Sequence, residues 1–376
     1  MKKQAAKRKQ FLSRGGMILL MVLVILFTSI LVRSRDRLTI GHLVRGIEYN
    51  RPGSRNATEF RFTSLSSNTF ATLGRGLAVA SSSGLSVYDR TGSQVYASYW
   101  SLEQPVIRTQ GNFVIAYDLG GTDILVGNQR EALRHIEAEG RIIDARINES
   151  GWVTVSVEQV GTLGMVRLYD PDGVPRFRVQ SATGHLMGAA LAEDNLTLTL
   201  LTMTEAGGRI LWYTAGTPAD EPNFAYQREG EVFFDFWFAS AHGDVGVISN
   251  NVVVYLNAKG EVQSEYQFPD QRLRAYDIER GDVALHLSHH QTGAGGEIVV
   301  LEPRGERERM EVTGNVIDIS MAGRYVAAIC FEGITVYRRG RIYASFEETE
   351  GMTHVRMRSD GTLFRLAQQR ARLLVP

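Results

Sequence analysis

Four aspartates stand in closely similar settings, each held between apolar residues: Asp144 in IIDA, Asp235 in FFDF, Asp277 in AYDI and Asp318 in VIDI. Arg108, Arg146, Arg274 and Arg356 lie in comparable segments. Gathered around one axis, these eight charges could bind a cation or a polar ligand such as a sugar. Two carboxyls held ~5–9.5 Å apart could also act as the acid–base pair of a glycan hydrolase or lyase. The competing reading is structural. A buried charge requires a partner, so each Asp would accept hydrogen bonds from neighbouring backbone or pair with an Arg. Recurrence at one repeat position is what structural repetition alone produces. The eight residues form a candidate central ligand ring, with the structural reading preferred.

Other groups offer less. His286, His289 and His290 in ALHLSHH are the only histidine cluster, and strand alternation would put His286 and His290 on one face. No Cys partner exists and no acid stands at zinc-ligand spacing, so a polar strand end is expected there. Asp170, Asp172 and Gly173 (DPDG) begin like a calcium loop, but the remaining acids are missing and a hairpin turn is expected. The single cysteine, Cys330 in YVAAIC, can form no intrachain disulfide and reads as a small hydrophobe. Lys259 is the only lysine after residue 9, which leaves lysine chemistry almost no candidate. G-x-S-x-G, H-E-x-x-H, Walker-type and G-x-G-x-x-G motifs are all missing. Neither a metal, a cofactor nor a defined catalytic residue is expected.

The elements that must position these residues repeat. GLSVYDRTG (84–92) returns as MVRLYDPDG, VVVYLNAKG, EIVVLEPRG and ITVYRRG, with weaker copies TDILVGN and RILWYTAG. The markers Tyr88, Leu125, Tyr169, Tyr213, Tyr255, Leu301 and Tyr337 are spaced by 37, 44, 44, 42, 46 and 36 residues, and ARLLV places Leu374 another 37 on. Such periods indicate a solenoid, propeller or array. Each marker is a short β-branched or aromatic run followed by a hairpin turn signal. Two apolar strands precede it and one follows. Four antiparallel strands per repeat, repeated radially, describe an all-β propeller. REALRHIEAEG (130–140) favours helix by propensity and is read as a degenerate outer strand. Seven full units and a last one of three strands give eight blades, with seven as the alternative. LTIGHLVRGI (38–47) is expected to pair with the last blade, close the ring and cover its open edge. The propeller then runs from 38 to 376.

Met17 to Val32 reads MILLMVLVILFTSILV, without charge, Gly or Pro, and six cations precede it. As a helix it is about 24 Å long at ~1.5 Å per residue, and Gly15 and Gly16 extend it toward the ~30 Å hydrocarbon core. The expected topology is a basic cytoplasmic tail to residue 16, one transmembrane signal anchor over 17–33, and a propeller outside the cytoplasm. The exit SILVRSRD lacks the small residues of a cleavage site, which favours an uncleaved anchor over a removed signal peptide. With the six cations set aside, 35 Lys and Arg face 41 acids. That balance argues against nucleic acid as a partner.

The stretches GLAVASSSGLSVYDRTG, PVIRTQGNFVIAYDLGGTDILV, ARINESGWVTVSVE, GRYVAAICFEGITVYRRG and the terminal ARLLVP carry a resemblance. The chain resembles an uncharacterised family of single-pass, membrane-anchored β-propeller proteins from Gram-positive, clostridia-like bacteria. That resemblance covers nearly the whole chain and implies architecture without an activity. A looser similarity to quinone-cofactor propellers rests on VYDRTGSQVYASYW, which looks like their strand-turn-Trp repeat. It supports an eight-bladed ring; the Trp is not repeated and no adjacent cysteine pair occurs, so a quinone-dependent dehydrogenase is disfavoured. The expectation is a membrane-tethered binding or scaffolding module at the cell envelope, its partner an envelope protein or glycan. A glycan hydrolase or lyase using the inner aspartates is the alternative.

Overall fold

Short β-branched and aromatic runs separated by Gly-centred turns fold into antiparallel meanders throughout the computed structural model, which describes residues 59–62, 68–217, 221–290, 294–347 and 351–376. The first complete meander is Thr69–Leu73, Gly76–Ser81, Gly84–Tyr88 and Gln94–Tyr99, hydrogen-bonded in that order. The recurrent turn glycine has a physical reason. Gly92, Gly173 and Gly260 all hold φ near +80°, at 81°, 81° and 80°, a region that glycine enters without a Cβ penalty.

No helix occurs among the described residues. Six sheets have four strands and one has seven. The seven-stranded sheet contains one long strand, Gly305–Ala322, whose first part is the outer strand of one meander and whose last part is the inner strand of the next. Counting that strand twice gives eight four-stranded sets, within the expected seven to eight blades. The segment expected to be a degenerate outer strand contains the strand Ala132–Glu137.

The first strands of successive sets lie against one another: Thr69–Leu73 on Pro105–Gln110, that on Ile142–Ile147, and that on His185–Leu191. Met352–Met357 returns to Thr69–Leu73. First strands are thus innermost and the fourth strands outermost. The apolar core is layered between sets, as where Ile115 and Val126 of the second meet Val153 and Val155 of the third. The last set takes its fourth strand from Glu59–Arg61, which pairs with Arg370–Leu374. The seat expected for 38–47 is therefore filled by a later segment, while 38–47 itself lies outside the described residues. The alternation in EFRF explains the choice. Phe60 is buried, packing on Tyr88 at 5.2 Å and on Phe364 at 6.3 Å between ring centroids.

Candidate functional site

The inner strands bring half of the eight candidate residues into one network. Asp144 accepts Arg108 Nη2–H at 3.0 Å, Arg146 Nε–H at 2.7 Å and the Tyr117 hydroxyl at 3.1 Å. Arg146 continues to Asp235 Oδ1 at 2.7 Å and to the Phe236 carbonyl, with its guanidinium 4.4 Å from the Phe236 ring centre. Asp235 also accepts the Tyr276 hydroxyl at 3.0 Å. One arginine thus joins the third set to the fifth, passing the fourth. Gly188 of the fourth set makes room, because a Cβ there would stand 2.8 Å from Asp144 Oδ2. Desolvation raises the Asp144 pKa, but Arg108 and Arg146 outweigh it and hold the carboxyl below its ordinary range.

A second network forms on the other side of the ring. Asp318 Oδ2 accepts Arg356 Nη1–H at 2.7 Å and the Val355 amide at 3.1 Å, with His354 Nδ1 at 3.3 Å. Arg356 Nε–H donates to the Phe70 carbonyl at 2.9 Å, tying the last set to the first. Among the described residues no arginine lies within ion-pair distance of Asp277; its Oδ2 accepts the Met321 amide of the next set at 2.6 Å. Burial pushes Asp277 up to about 6, against the pull of Arg356. Arg274 is exposed and joins neither network.

The register corrects the expectation that all four aspartates share a repeat position. An irregularity precedes Asp144 (Ile142/Asp144), Asp318 (Val316/Asp318) and Ala275 (Leu273/Ala275). Ala275 is therefore the equivalent of Asp144 and Asp318, while Asp277 lies two residues on, level with Arg146 and Ser320. Ser320 behaves accordingly: its hydroxyl accepts the Met357 amide at 3.0 Å, as Asp277 accepts that of Met321. The extra residue of a bulge is invisible in an ungapped motif.

Elsewhere the geometry is that of turns and core. Asp170 accepts the amides of Asp172 and Val174 at 3.0 and 2.9 Å, and Arg176 Nε–H at 2.6 Å, a closed hairpin turn. His286 is fully buried in Asp282–Ser288, and burial holds its pKa below the ordinary value; His289 and His290 follow the strand end. Cys330 is partly buried, and burial pushes its thiol up to about 11. Among the described residues no three metal-ligating side chains converge.

What the motif search missed is a difference between the two ends of the ring. The upper end, where innermost strands begin, carries the exposed apolar residues Tyr99, Trp100, Leu119, Val160, Met187, Val232, Phe234, Ile317 and Phe331. The loops of the lower end carry Val174 and Leu196, and the remaining exposed hydrophobics lie on outermost strands. Charge divides the same way. The described upper loops hold Glu103, Glu139, Glu158, Glu205, Glu231, Asp270, Glu332 and Glu347, with Arg141 the one arginine or lysine among them. The lower loops mix signs, with Arg75, Arg90, Arg130, Lys259 and Arg280 among their cations. The signal was present in the sequence as apolar residues in or beside the turns, but only strand direction assigns them to one end.

Antiparallel four-stranded sets packed through their first strands define the class: this is a β-propeller of WD40-like form. The chain belongs to a family of unknown function (DUF5711), whose model matches residues 52–342. No curated protein matches. Among solved structures, the C-terminal WD40 domain of Sif2 superposes with a TM-score of 0.61 at 12% identity, covering 85% of this chain and 98% of that one. Sqt1 of Saccharomyces cerevisiae gives a TM-score of 0.55 at 12% identity, covering 86% and 97%. At such identity the likeness concerns the fold.

Proposed function

We propose that this protein is a membrane-tethered, extracytoplasmic eight-bladed propeller acting as a binding or scaffolding module at the cell envelope. The observation that carries the reading is the upper end, where apolar side chains stand exposed in loops and near strand ends while the lower loops hold few. Exposed apolar groups concentrated on one surface mark interaction sites. The alternative, glycan cleavage by inner aspartates, is weakened because Asp144, Asp235 and Asp318 are each paired with arginine. A glycosidase needs one carboxyl free to donate a proton and a second free to attack or activate water. The tether rests on Met17–Val32 and the cations before it, which lie outside the described residues; among those described, no helix is long and apolar enough to cross a membrane.

Crosslinking in intact envelopes followed by capture of the full chain tests the reading. Recovery of one envelope protein or glycan, lost when Tyr99 and Phe331 are both changed to Ser, is the expected result. Capture that ignores the upper end but responds to lower-end changes would overturn it. Protease shaving of intact cells should remove the propeller; protection of the propeller with outside labelling of the tail would reverse the topology.

A further inference from the structure

A cavity of about 560 Å³ opens at the upper end between the second and third sets. Its lining includes Gln104, the turn from Asp118 to Asp123, and the start of the third set's innermost strand. Asp118 is only 7% exposed. Its Oδ1 accepts the Gln104 amide at 2.7 Å, while its Oδ2 takes no hydrogen bond and lies over Gly121, where a Cβ would stand 2.3 Å away. That second oxygen is open to the cavity, so a donor entering there would meet a carboxylate whose other oxygen is already held by the chain.

The surroundings say what kind of donor fits. Glu103, Asp123 and Glu158 line the same cavity against one cation, Arg141, whose Nε–H is given to the Gly120 carbonyl at 3.1 Å. Leu119 and Ile143 add an aliphatic wall. Asp123 pairs with His135 Nε2 at 2.8 Å, and His135 stacks on Trp100 at 4.0 Å, so a partly exposed indole stands one side chain away from the cavity. An acidic cavity with an aliphatic wall and an aromatic neighbour suits a long cationic side chain. Its methylenes cover the wall and its head meets the carboxylates. Guanidinium fits better than ammonium, because its planar fork serves several oxygens at once and stacks on aromatic faces.

We propose that this cavity receives an arginine side chain from a protein partner docked on the upper end. The inference deepens the binding-module reading and rests on it. The acidic upper loops would then steer a basic surface toward the site, an effect that weakens with salt.

The test titrates the full chain, in detergent micelles, with acetyl-Gly-Arg-Gly-amide and with the same peptide carrying citrulline, using calorimetry at two salt concentrations. The arginine peptide should bind at least tenfold more tightly, and the difference should shrink in high salt. Asp118→Asn, which keeps an acceptor for Gln104, and Glu158→Gln, an exposed change that leaves the fold untouched, should each weaken arginine binding at least threefold. Equal binding of the two peptides, or binding indifferent to both substitutions, overturns the proposal. Envelope capture that survives Asp118→Asn with Glu158→Gln removes the arginine pocket and leaves the binding module standing. Peptide binding without any envelope partner does the reverse.

Discussion

Arg146→Met removes the one side chain that joins the third set to the fifth, and its cost follows from the partners. Arg146 is 15% exposed in its side chain and gives 2.7 Å charge-assisted bonds to both Asp144 and Asp235. Asp144 keeps Arg108 and Tyr117 when the guanidinium goes; Asp235 keeps the Tyr276 hydroxyl and the Phe236 amide but loses its ion pair. Breaking a buried pair by removing one partner costs about 3–5 kcal/mol, and retention of Arg108 places the expectation at about 3 kcal/mol in urea unfolding. The pH dependence has a definite sign. The Asp144 pKa lies below its unfolded value, so its contribution is present above about pH 4 and is lost as pH falls through the folded value. Without Arg146 that depression shrinks, and acid unfolding should begin at higher pH. Adding Asp235→Asn removes the abandoned charge and should recover about half of the loss. A single variant within about 1 kcal/mol of the parent, or a double variant worse than the single, would refute the structural reading of the network.

Asp277→Asn should stabilise the protein at pH 7–8 by up to about 2 kcal/mol. Its carboxyl is pushed up to about 6, so the folded state favours the proton and stability attached to it is lost as pH rises through 6; Asn still accepts the Met321 amide, and an unchanged urea midpoint at pH 8 counts against this. His286→Leu should flatten the fall in stability below about pH 6.5, because the buried imidazole has a lowered pKa and its stabilisation disappears as pH falls; denaturation midpoints between pH 5 and 8 read the slope. Gly188→Val should cost about 1–3 kcal/mol by overpacking against Asp144, and a melting temperature equal to the parent's would show that the crossing needs no space. Phe60→Ala should cost about 3–5 kcal/mol and, by loosening the strand on Arg370–Leu374, should raise self-association through the bared edge; light scattering that stays monodisperse would contradict the edge argument.

The repeat was legible because each turn demands the same local chemistry. The Asp, Asn or Gly positions of DRTG, DPDG and NAKG answer a backbone requirement that acts within four residues, and so survive as a visible period. The third strand of a set could thus be located from sequence, and the strand character of Ala132–Glu137 followed from periodicity despite helical propensity. Pairing partners were less visible. Both 38–47 and 59–61 carry apolar residues near the start of the propeller, and the choice rests on Phe60 finding Tyr88 and Phe364, contacts made across long separations in the chain.

For the inner charges the sequence supplied residue types, and tertiary structure decided their roles. Asp144, Asp235, Asp277 and Asp318 look alike over four residues, yet bulges place Asp277 level with Arg146 and leave Ala275 level with Asp144 and Asp318. Which carboxylate meets which guanidinium depends on side chains reaching between sets, and for Arg146 on the missing Cβ of Gly188. The unshared oxygen of Asp118 is likewise a product of folding, since Gln104 occupies only one side of it. Local conformational demands are written in neighbouring residues. Charge satisfaction is settled by groups that meet only when the ring closes.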